Sequence, residues 1–91
     1  GDLLARYGGE EFIALLQGSD LEGALQVAER ARLAVEGLAI PHPAWPAGRV
    51  TISIGCASGQ AGSTADMRHL ISAADQALYA AKAAGRNRVA A

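Results

Sequence analysis

Gly8-Gly9 stands between two short apolar runs, Leu3-Leu4-Ala5 and Phe12-Ile13-Ala14-Leu15-Leu16, and this leaves the chain few ways to begin its fold. Tight turns between antiparallel strands need positive φ, which glycine adopts without steric cost, so the pair predicts a β-hairpin turning at Gly8 and Gly9. Helical spacing follows. Leu21, Ala24, Leu25, Ala28, Ala31 and Val35 share one stripe, with Glu22, Gln26, Glu29 and Arg30 elsewhere; the helix is expected to be capped by Ser19 with Glu22 in a capping box, and to run to about Glu36 before Gly37. The stretch from Pro41 to Gly48 holds all three prolines and reads as a surface loop. Val50-Thr51-Ile52-Ser53-Ile54-Gly55 alternates as a strand with one better-buried face, after which Gly55 and Gly59 read as loosening the chain. A second helix, capped within Gly62-Ser63-Thr64, carries Met67, Leu70, Ile71, Ala74, Ala77, Leu78 and Ala81 on its apolar stripe and stops at Gly85 in the C′ position. Asn87 to Val89 is placed as a short last strand.

Helices that each bury one stripe must pack on a sheet, so this order predicts an α/β domain, described as an α+β two-layer sandwich. With 91 residues there is room for one domain. The single cysteine, Cys56, rules out a disulfide scaffold, and a formal net charge of -1 argues against a generally basic nucleic-acid binder. Charged residues, at 19%, are too few for a disordered acidic tail, and no apolar run approaches the roughly 18 residues of a membrane span. A chain opening Gly1-Asp2, without Met or a basic leader, is expected to be a piece of something longer.

The chemistry concentrates in two places. In Arg6-Tyr7-Gly8-Gly9-Glu10-Glu11-Phe12, two carboxylates follow a bare turn; adjacent carboxylates can hold Mg²⁺, which takes one or two of them plus substrate phosphates. The alternative is a solvated acidic hairpin. Lys82 and Arg86 lie four residues apart at a helix end with Gly85 between them. They can gather phosphate oxygens, or they can simply compensate the negative end of the helix dipole.

The hairpin string closely resembles the GGDEF signature of diguanylate cyclases in its GGEEF form. Thr51-Ile52-Ser53-Ile54-Gly55 and the run from Ala74 to Asn87 also resemble the family's later motifs, in the same order. The resemblance covers essentially the whole chain. It implies condensation of two GTP into cyclic di-GMP and pyrophosphate for bacterial second-messenger signalling, by a homodimer in which each subunit presents one GTP. It implies a nucleotide-cyclase, palm-like sheet flanked by helices, with residues 1–91 as the C-terminal portion of a single domain that lacks its N-terminal strand and helices. By the same resemblance Gly8 and Gly9 form the turn against which the nucleotide sits. Glu10 contributes to binding Mg²⁺ (or Mn²⁺) and is linked to activation of the ribose 3′-hydroxyl; Glu11 is the second metal-binding acid, and Lys82 and Arg86 meet the triphosphate. Successive extended positions face opposite ways, so the two acids are expected to act differently, with Glu10 the stronger candidate.

Further expectations come with the resemblance. The family's product-inhibition site is an Arg-x-x-Asp; Asp2 has its spacing, and Arg30 matches a basic position that assists it from a neighbouring subunit, although an Arg paired to Gln26 or Glu29 on a helix surface is the plain alternative. An Asp completing the metal site, the guanine-reading residues and a sensory or regulatory domain are expected before Gly1, in a cytoplasmic domain of a soluble or membrane-anchored parent. A strand missing beside the hairpin would leave an edge and apolar helix faces open, so these residues alone are expected to be marginal and inactive. The other reading of the same fold is a catalytically inactive nucleotide-binding or signalling module; a plain interaction module without a ligand is a third. Nucleic acid is not an expected partner. His42 and His69 read as surface residues, Cys56 as a small core residue, Trp45 as covering apolar surface from its loop, and Asp75 and Tyr79 as supports for local packing and hydrogen bonding.

Overall fold

The computed structural model describes residues 2–17, 21–44, 48–60 and 62–91, without the side chains of Asp2, Leu3 and Gln17. The expected cap Ser19 and the loop residue Trp45 lie outside the described residues. Strands β1 (Asp2–Gly8) and β2 (Glu11–Gln17) are followed by helix α1 (Leu21–Gly37), strand β3 (Ser53–Gly59), helix α2 (Thr64–Ala83) and strand β4 (Val89–Ala90). The four strands form one mixed sheet in the order β1-β2-β3-β4; β1 pairs antiparallel with β2, and the other neighbours are parallel. The α/β class and the order of elements are those the periodicities predict.

The hairpin turns differently from expectation. Arg6 pairs with Phe12 and Gly8 with Glu11, so Gly9 and Glu10 form the tip and a bulge falls at Tyr7. Neither Gly8 nor Gly9 has positive φ. Instead Arg6 ties the tip from the side, its guanidinium donating to the carbonyls of Gly8 (3.0 Å) and Gly9 (3.2 Å). A Cβ at position 8 would stand 3.0 Å from Glu11 Oε2, the movable end of a side chain. At Gly9 a Cβ would meet only Arg6 Nη2 at 4.0 Å, so the tip is sterically open.

The middle strand is Ser53–Gly59, three residues later at its start than the alternation suggests, and Ser53 to Ala57 are all buried. A strand covered on both faces has no reason to alternate. Its odd and even positions serve different helices: Ala57 joins Ile13, Leu15, Leu70, Ala74 and Leu78 in a core against α2, while Ile54 and Cys56 join Ala28, with Phe12, Ala14, Leu21 and Leu25 around them, against α1. The sheet thus lies between the two helices, one layer more than a two-layer arrangement.

Gly55 and Gly59 belong to β3 and do not loosen the chain. A Cβ at Gly55 would sit 2.3 Å from Ala74 O and 2.4 Å from Leu78 N, so β3 and α2 meet backbone to backbone there. Ala74 (0% exposed), Ala77 and Ala81 keep the rest of that contact close. The α2 stripe is buried as expected, with Met67 and Ile71 half-buried at its margin. On α1 only Ala24 and Ala28 are fully buried, and Ala31 is exposed.

Helix α2 starts and stops on its predicted signals. Ser63 Oγ accepts from the Asp66 N–H at 3.1 Å. At the other end the Gly85 and Arg86 N–H groups donate back to Lys82 O (3.2 Å) and Ala81 O (2.9 Å), a Schellman closure with Gly85 at φ +123°. The ends of the proline loop meet through a bridge from Pro41 to Arg49. No described helix is long and apolar enough to cross a membrane.

Candidate functional site

The hairpin tip and the C-terminal end of α2 come together. Lys82 Nζ stands 2.7 Å from Glu11 Oε1, with the lysine side chain 32% and the glutamate 27% exposed. The neighbouring acid, at the tip before β2 begins, turns elsewhere: Glu10 Oε1 lies 3.8 Å from His42 Nε2. The proline loop therefore reaches the site through His42, whose place in sequence gives no such signal. Glu10 is also anchored at the sheet by its carbonyl, which accepts from Ser53 N at 2.9 Å.

Arg86 lies exposed just past the Schellman closure, with φ +63°, and its neighbour Asn87 has φ +48°. Asn87 is held from several sides. Its N–H donates to Ser53 Oγ at 3.1 Å, its carbonyl and Oδ1 accept from Arg32 Nη1 at 3.3 and 2.9 Å, and its amide donates to Glu36 Oε2. Arg32 forks onto both oxygens of Glu29 at 2.6 Å, and its side chain is only 13% exposed. That hydrogen bond holds the Glu29 carboxyl below the usual carboxylate range and pushes the Arg32 guanidinium up. Sequence reasoning passed over Arg32; the spacing Glu29-x-x-Arg32-x-x-x-Glu36, two acids within helical reach of one arginine, is the signal that could have found it.

Asp75 supports the hairpin from α2. Tyr7 at the bulge hydrogen-bonds to it, and that bond, with partial burial and the carboxylate's charge, raises the Tyr7 pKa. Asp75 Oδ1 is buried without a partner among the described residues. Tyr79 is 73% exposed and packs little, contrary to expectation. Cys56 is buried, as expected, and desolvation raises its thiol pKa. Arg30 is exposed on α1, and Glu29, one of its expected partners, is taken by Arg32. The side chain of Asp2 lies outside the described residues.

Among the described residues no three His, Cys, Asp or Glu side chains gather as a metal cage. Glu10 and Glu11 offer hard oxygen donors of the kind Mg²⁺ or Mn²⁺ takes, from neighbouring positions whose carboxylates meet different partners, Glu10 with His42 and Glu11 with Lys82.

Fold and site define an α/β domain that sets an acidic hairpin tip against the basic end of a helix. The family model for "Diguanylate cyclase, GGDEF domain" matches residues 1–88, and the chain belongs to the GGDEF domain family. The chain is similar to the response regulator PleD of Caulobacter vibrioides, with 44% identity over 94 residues that cover 97% of this chain and 19% of that protein. It is 43% identical to diguanylate cyclase A of Treponema denticola over 88 residues (97% of this chain, 23% of the relative). It is also 43% identical to diguanylate cyclase DgcM of Escherichia coli K12 over 89 residues (98% and 20%). The chain thus spans about a fifth of the length of these relatives. No solved structure matches it significantly.

Proposed function

We propose that this chain supplies the metal-binding hairpin and part of the phosphate-binding surface of a diguanylate cyclase acting as a homodimer. The reaction turns two GTP into cyclic di-GMP and two pyrophosphates: each 3′-oxygen forms a bond to the α-phosphorus of the other nucleotide, and each α–β bridging bond breaks. The observation that carries this reading is the 2.7 Å contact between Glu11 and Lys82, which puts the signature acids and the basic helix end in one place.

In-line attack on a phosphate needs charge neutralised, a hydroxyl deprotonated and cations on the leaving group. Glu10 and Glu11 would hold Mg²⁺ or Mn²⁺, which when bound polarises phosphate oxygens and acidifies a nearby hydroxyl. Glu10, turned away from Lys82, keeps its carboxylate for the 3′-hydroxyl side of the reaction. Lys82 is held by Glu11 and is the cation that a phosphate oxygen can take over; Arg86 adds a planar fork for a second phosphate contact. The unencumbered Gly9 leaves the tip open to a nucleotide. We further propose that guanine recognition, the remaining metal ligand and a sensory or regulatory domain belong to other parts of a longer protein, since the chain spans about a fifth of its relatives' length, and that this domain is cytoplasmic.

The test is cyclic di-GMP formation from GTP and Mg²⁺ by the full-length protein with and without Glu10→Gln. A fall of about a hundredfold or more is expected, the scale on which removal of a transition-state electrostatic contact reads out. Equal activity in the two proteins overturns the catalytic role of Glu10, and no product from either favours a non-catalytic nucleotide-binding module.

A further inference from the structure

Three consecutive residues after α2 have positive φ: Gly85 at +123°, Arg86 at +63° and Asn87 at +48°. The first follows from the Schellman closure. The second and third do not, because the helix is already stopped, and L-residues visit this region singly and at a cost, with asparagine tolerating it better than arginine. Such a run persists where surrounding contacts over-determine it.

Those contacts converge on Asn87 and leave Arg86 bare. Ser53 Oγ takes the Asn87 N–H, Arg32 reaches both its carbonyl and its side-chain oxygen, and Glu36 takes its amide. Glu29 in turn fixes the Nε–Nη2 edge of Arg32 and leaves Nη1 for Asn87. Arg88 closes the turn from the other side, its Nε donating to Arg86 O at 3.0 Å. A flanking residue is clamped by α1 and β3 while the side chain between clamp and helix stays exposed.

We propose that Arg32 and Asn87 are positioning residues for Arg86: the α1 clamp on Asn87 holds Arg86 in its left-handed conformation, aimed as a phosphate ligand beside Lys82. This rests on the reading of Arg86 as a phosphate-binding residue. Arg32 itself is committed to Glu29 and Asn87.

The test is steady-state kinetics of the full-length protein with GTP and Mg²⁺ in a double-mutant cycle. Arg86→Ala is expected to raise KM for GTP about tenfold, the scale of one lost charged hydrogen bond. Arg32→Gln and Asn87→Gly are each expected to raise it by about fivefold, with kcat changing less, and to add nothing in the Arg86→Ala background. Asn87→Gly keeps the N–H to Ser53 and relieves the left-handed backbone, so it decides the matter if Arg32→Gln does not fold. An unchanged KM in Asn87→Gly beside a raised KM in Arg86→Ala overturns the positioning role and leaves the phosphate reading standing. Effects that add to Arg86→Ala also overturn it, because the clamp would then act elsewhere. An unchanged KM in Arg86→Ala removes the phosphate reading and the proposal with it.

Discussion

The two faces of the sheet are held by different physics. Toward α2, the contact is apolar and so close that backbone meets backbone at Gly55, with Ala74, Ala77, Leu78 and Ala81 buried around it. Toward α1, only Ala24 and Ala28 of the helix are fully buried, Val27 and Leu33 are exposed, and the far end is tied by the polar set of Arg32, Glu29, Glu36, Asn87 and Ser53. The apolar face places Lys82 against the hairpin by shape, and the polar face places the turn that carries Arg86 by hydrogen bonds. Close packing forgives no added atom, whereas a hydrogen-bond network loses its members one at a time.

The sharpest way to break this contrast is Gly55→Ala. Its methyl would have to occupy the space of Ala74 O and Leu78 N, and the cost is expected at about 3 kcal/mol, the upper part of the range for overpacking, read as a shift in urea midpoint. A change below about 1 kcal/mol would show that the face yields as readily as its opposite. On the polar side, Ser53→Ala removes the acceptor of the Asn87 N–H from a site where Ser53 is 3% exposed, and about 1 kcal/mol of loss is expected in the same measurement. The smallest effect belongs to Tyr7. Its phenol pKa is raised in the folded protein by the bond to Asp75, so its contribution to stability is complete below the ordinary phenol value of about 10 and is lost as pH rises through the folded value. Tyr7→Phe is expected to flatten that alkaline decline, measured as stability against pH from about 8 to 11. A decline unchanged in the variant would free the bulge from any dependence on this bond.

Much of this arrangement was legible because local chemistry and tertiary structure agree. Ser63 and Gly85 bound α2 as their residue types predict, and its stripe from Met67 to Ala81 is the stripe that packs. Glu10, Glu11 and Lys82 stood out as charges at a bare turn and a helix end, and the fold brings Glu11 and Lys82 together. What was misread turns on tertiary context. Thr51 and Ser53 looked like the polar face of a strand, yet both are buried, Ser53 because it serves Asn87. Gly8-Gly9 suggested a turn built on positive φ, while Arg6 fastens the tip through its side chain. Arg32 has a local signal in Glu29 and Glu36, but its hold on Asn87, 55 residues away, is written in no local pattern.

The backbone contact at Gly55 also has a mechanical consequence. With no side chain between them, β3 and α2 have no compliant layer in which to slide, and they travel as one stiff piece. Lys82 rides on that piece. The acidic tip is fastened to the same piece, because β2 pairs with β3 from Glu11↔Ser53 onward and the Glu10 carbonyl accepts from Ser53 N, so Lys82 and Glu11 keep their separation as parts of one frame.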